Sequence, residues 1–133
     1  MALSDTVDLD ALRTGGLVAA AIAVPAGILA QVLDDDGDGS GWVALLAVVV
    51  MAGLVIGAVV AARRQRVGLP LTHAMVTAVG VFVLVQAVGI VRRSIAGDDI
   101  TWSRVASSFL LSLMAGVVGG LIASWRDRRG ASR

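Results

Sequence analysis

Four apolar runs, residues 12–33, 42–62, 71–91 and 105–125, fill most of the chain, and apart from Arg13 at the start of the first they contain no charged side chain. A helix rises about 1.5 Å per residue, so about 21 residues cover about 31 Å, the hydrocarbon thickness of a bilayer. Backbone amides in lipid must be satisfied within their own segment, and runs of this length do so as helices. The chain therefore reads as an all-α integral membrane protein, a bundle of four transmembrane helices forming a single domain over residues 1–133.

Little is left over for a soluble domain. The longest stretches outside the runs are the first dozen residues and residues 92–104. Only 16% of the chain is charged, against about 25% for soluble proteins. The leading segment carries more acid than base and the first run is longer than a signal-peptide core, so that run is expected to stay as a helix. Cys is absent, which leaves no disulfide or thiolate metal site. Every base is Arg and every acid Asp, a bias that with the Ala, Val and Gly content points to a GC-rich prokaryotic genome. The net charge of +1 implies no nucleic-acid partner, because the Arg residues flank spans and do not build one basic face.

Arginine placement orients the bundle. Arg13, Arg63, Arg64, Arg66, Arg126, Arg128, Arg129 and Arg133 fall on one side, and Arg92, Arg93 and Arg104 on the other. By the positive-inside rule both termini are expected in the cytoplasm, in a multi-pass protein of the cytoplasmic membrane. Arg63, Arg64 and Arg66, with Arg126, Arg128 and Arg129, then lie where anionic headgroups attract them.

The second and fourth runs end alike. MAGLVIGAVVAARRQR from Met51 aligns without a gap on MAGVVGGLIASWRDRR from Met114, and Gln31 and Gln86 sit near the far ends of the first and third runs. The pattern predicts two repeated helical hairpins in parallel orientation, residues 12–66 and 70–129, related by a pseudo-two-fold axis along the membrane normal.

Spans in lipid associate by close van der Waals approach, which small residues at four-residue spacing permit. Ser108, Ser112, Gly116, Gly120 and Ser124 make such a stripe in the fourth run, Gly15, Ala19, Ala23 and Gly27 in the first, and Gly53, Gly57 and Ala61 in the second. These stripes are expected to face one another, with the bulkier third run apart and a contact between copies as the alternative. Pro25, in the middle of the first run, removes one backbone donor and predicts a kink.

Polar groups are few. Asp34, Asp36 and Asp38, followed by Gly39, match the opening of a calcium loop, but the position of the closing bidentate ligand is Leu45, so a polar turn is the main reading and a Ca²⁺ site the lesser one. His73 follows Pro70 and Thr72 at the start of the third run, which suits a helix-contact or interfacial histidine, with a proton-responsive gate as the minor alternative. Gln31 and Gln86 can bond across helices or line a polar vestibule. Trp42, Trp102 and Trp125 fall at run boundaries, where an indole suits the headgroup layer.

No nucleophile with a base and no metal-ligand set converges within the runs, so neither catalysis nor a cofactor is expected. Proton-coupled transport lacks the intramembrane acid it needs. What remains is a non-enzymatic four-span protein acting by association with the bilayer and with a membrane-protein partner or a second copy. An oligomeric channel or passive transporter lined by Ser, Thr, Gln and small residues is the alternative.

Overall fold

The computed structural model describes residues 7–35 and 40–130. They form four helices, α1 (Leu9–Asp35), α2 (Ser40–Arg64), α3 (Pro70–Ala96) and α4 (Trp102–Gly130). At about 1.5 Å per residue, helices of 25 to 29 residues reach about 38 to 44 Å, enough to cross the hydrocarbon and enter both headgroup layers. The chain is thus a four-helix bundle of membrane type.

Each helix overruns its apolar run. Residues 92–104, expected outside the spans, are largely helical: α3 continues through Arg92 and Arg93 and stops at Gly97, whose φ of 77° and amide bond back to Arg93 O form a left-handed cap. A helix ends where its backbone is capped, and Arg stems can extend from it into water, so the last apolar residue does not mark the end. Proline likewise leaves α1 unbroken; Pro25 lies on its exposed side.

Burial is inverted relative to a soluble bundle. Ala19, Ala23, Ala58, Ala61, Ala74, Ala78 and Ala123 are fully buried, while Leu17, Val48, Val83 and Leu110 point outward. Hydrocarbon solvates Leu and Val as well as a core does, so the interior goes to residues that let backbones touch.

Neighbouring helices are antiparallel. Gly15 meets Ala61 and Gly57, and Gly53 meets Ile22; Gly116 meets Met75, and Gly120 meets Leu71. The helix ends at Leu9, Arg64, Pro70 and Gly130 therefore share one end of the bundle, here the terminal end. Those at Asp35, Ser40, Ala96 and Trp102 share the other, the tip end.

The stripes of α1 and α2 face each other, as their spacing predicts. That of α4 does not join them. Gly116 and Gly120 seat on α3, whose bulk lies elsewhere and whose Ala74 and Ala78 present a small face at four-residue spacing. The contact of α4 with α2 is made instead by Gly119, where an added Cβ would come within 2.6 Å of Ala58 Cβ. In the alignment of the two hairpins Gly119 corresponds to Ile56, an exposed bulky residue.

This difference skews the bundle. Aligned Gly53 and Gly116, and Gly57 and Gly120, each face the first helix of their own hairpin. Between hairpins, however, α2 packs on both α3 and α4, whereas α1 and α4 scarcely meet. A strict two-fold axis along the normal would make those two pairings equal, and here they are not.

Candidate functional site

Where the helices separate at the tip end, they enclose a cavity of about 270 Å³ with an apolar lining from all four. Its mouth carries Asp34, Arg93, Thr101 and Arg104. The floor is Leu54 and Phe82, both buried, above the cluster of Ala19, Ala23, Val81 and Ala115. Phe82 is steadied by Phe109, with ring centroids 5.8 Å apart.

Gln31 and Gln86 both line this cavity, and no hydrogen bond joins them. Gln31 instead crosses to α3 at Gly89, where a Cβ would stand 2.7 Å from its Nε2. Glycine at that point lets the amide lie on the α3 backbone one turn beyond Gln86. Ser108 is a half-buried wall residue of the same cavity. Ser112, one turn deeper, is fully buried and donates to Phe109 O at 2.7 Å.

Across the mouth, Arg104 Nη1 meets Asp34 Oδ2 at 2.7 Å, tying the end of α1 to the start of α4. Both side chains are substantially exposed, so this ion pair contributes at most about 1 kcal/mol. Asp34 is the one member of the proposed calcium loop whose side chain is described, and it spends an oxygen on Arg104; Asp36 and Asp38 lie outside the described residues. Among the described residues no group of three or more metal-ligating side chains converges.

At the terminal end the polar groups interlock. Asp8 caps α1, its Oδ1 accepting from Ala11 N at 3.1 Å and its Oδ2 from Arg66 N at 3.1 Å. The Asp8 backbone N–H donates to His73 Nε2 at 2.8 Å, and His73 Nδ1 lies 2.8 Å from Leu69 O. A backbone amide can only donate and a carbonyl only accept, so Nε2 accepts from Asp8 and Nδ1 donates to Leu69 O. His73, 1% exposed, is thus a helix-contact residue that joins α1 to α3. The hydrogen bond from Ala11 N–H does most to hold the Asp8 carboxyl below its ordinary value of 3.8, and the one from Arg66 N–H adds to it.

Sequence reading missed Asp8 and Gly119. Aspartate three residues before the amide it caps is a helix-start signal, and adjacent glycines offer two faces where a single four-residue register sees one. The partners of Asp8 are 58 and 65 residues away and left no local trace.

The basic residues stay outside. Arg63, Arg64, Arg66, Arg126, Arg128 and Arg129 are all exposed around the terminal end, and the Arg129 guanidinium stacks 4.2 Å from the Trp125 ring centre.

Neither protein-family models nor curated proteins nor solved structures give a match to this chain.

Proposed function

We propose that this is a non-enzymatic four-span protein of the cytoplasmic membrane that acts by association, as an accessory, scaffold or regulatory subunit, with both termini in the cytoplasm. The observation that carries the reading is the closed terminal half. A Cβ added at Gly15 or Gly57 would fall 2.6 Å from the other's carbonyl oxygen, and one added at Gly119 or Gly120 would stand 3.0 Å from Val55 O of α2 or 3.1 Å from Leu71 Cα of α3. Close backbone approach there, with the tip cavity ending at Leu54 and Phe82, favours association over conduction by a single copy. The arginines around that end support a cytoplasmic placement.

The test is paired. Purification from native membranes under mild detergent is expected to recover a constant protein companion, a second copy included. Reconstitution of the purified chain alone in liposomes is expected to leave ion flux at the level of empty vesicles. Flux above that level would replace this reading with the oligomeric channel.

A further inference from the structure

Polarity is graded along the depth of the tip cavity. From Phe82 at the floor to Arg93 at the mouth α3 advances 11 residues, about 16 Å at about 1.5 Å per residue. Val50, Leu54 and Phe82 line the deep part, and Gln31, Gln86, Arg93 and Arg104 stand above them. A volume of about 270 Å³ takes about nine non-hydrogen atoms, at about 30 Å³ for each water-sized group. Spread over that depth, it suits one alkyl chain and not a ring system or a two-chain lipid.

The hydrogen-bonding groups around it are unbalanced. Gln31 and Gln86 have no hydrogen-bond partner among the described residues, and half-buried Arg93 has no ion-pair or side-chain hydrogen-bond partner among them. Asp34, the one carboxylate lining the cavity, is already held by Arg104. Two guanidinium groups against one carboxylate leave the mouth with a net charge of +1. A group that only accepts hydrogen bonds and carries one negative charge matches that surplus. A carboxylate is such a group, whereas a phosphate monoester carries nearly two charges.

We infer that the tip cavity binds a medium-chain carboxylate, its chain toward Leu54 and Phe82 and its head between Arg93 and the Gln31 amide. That amide crosses to α3 at Gly89, one turn inside Arg93, so both donors lie on the same wall. Burial of the chain supplies affinity, and the charge-assisted bond to Arg93 selects the anion. Asp34 is a competitor built into the mouth, because an incoming carboxylate must share Arg104 with it. The site goes beyond association and stands with or without a protein partner.

Calorimetric titration of the purified chain in phosphatidylcholine nanodiscs, with empty nanodiscs subtracted, tests it at about pH 8, where a carboxylate is ionised. Across hexanoate, octanoate, decanoate and dodecanoate, affinity is expected to rise about fourfold per added methylene and to level off near decanoate, where the cavity is full. Partition into the bilayer would rise without levelling. Decanol, which keeps the chain and lacks the charge, should bind about tenfold more weakly than decanoate, and Arg93→Gln should remove that difference by weakening decanoate alone. Asp34→Asn, which frees Arg104, should tighten decanoate about threefold. Ala47→Leu, with three more carbons in the wall, should move the level point to a shorter acid.

Affinity that climbs through dodecanoate without levelling, decanol binding as tightly as decanoate, or decyl phosphate binding more tightly than either would overturn the inference. So would an Arg93→Gln chain that still prefers the acid. These comparisons on the wild type decide the matter should a variant fail to accumulate. The association reading fails separately: carboxylate binding says nothing of a companion, and ion flux through the purified chain removes association and leaves the site.

Discussion

The two ends of this bundle solve the same packing problem in opposite ways. At the terminal end, glycine and alanine bring backbones into contact and the polar groups of Asp8, Arg66, Leu69 and His73 satisfy one another. At the tip end the helices stand apart around a cavity, two amides have no hydrogen-bond partner among the described residues, and one exposed ion pair spans the opening. Where small residues on adjoining helices coincide in height the helices close, and where they do not the helices diverge around what remains.

The sharpest way to break the contrast is to enlarge one residue at each end. Gly57→Leu would drive a side chain into Ala19 and the Gly15 carbonyl, a backbone that cannot step aside, and is expected to abolish the folded monomer in detergent. Ala47→Leu projects into the tip cavity and is expected to shift stability by less than about 0.5 kcal/mol. Equal effects on thermal stability by size-exclusion or scanning fluorimetry would mean that the two halves are packed alike.

A smaller effect probes the terminal latch through pH. The folded carboxyl of Asp8 titrates below 3.8, so its contribution is fully present above that value and is lost as the pH falls through the lowered folded value. Amide exchange at Ala11 and Arg66 should stay protected at pH 4 and open only in stronger acid. In Asp8→Asn, whose amide offers one acceptor oxygen where the carboxylate has two, protection at one of these amides should be lost at every pH. Opening of the wild type above pH 4 would show that the carboxylate is not what holds the cap.

The smallest effect belongs to the tip. Arg104→Ala should lower stability by no more than about 1 kcal/mol, and the difference from wild type should shrink in high salt, as for any exposed pair. A larger, salt-resistant loss measured by thermal denaturation would mean that the ion pair closes the cavity and does not merely span it.

Much of this was legible in the sequence, for a physical reason. Hydrocarbon imposes length and apolarity on each span separately, so span number and type are local properties. The pairing of α1 with α2 was legible too, because both stripes keep four-residue spacing. That of α4 was not, since Gly116 and Gly119 differ by three residues and serve different neighbours. Gln31 and Gln86 stood out as polar exceptions, but the cavity they line depends on where four helices part, which no single helix encodes. His73 stood out as the lone histidine, but Asp8, the cap residue whose amide donates to it from 65 residues away, did not.

That cap also sets an order on assembly. The first hairpin can close as soon as α2 has emerged, because the glycines that join it to α1 lie within these two helices. The Asp8 amide must wait for an imidazole 65 residues further along the chain. At about 5 to 20 residues per second, synthesis leaves it waiting about 3 to 13 seconds. The beginning of the protein is thus finished late, and the arrival of the second hairpin is recorded in a hydrogen bond at the start of the first.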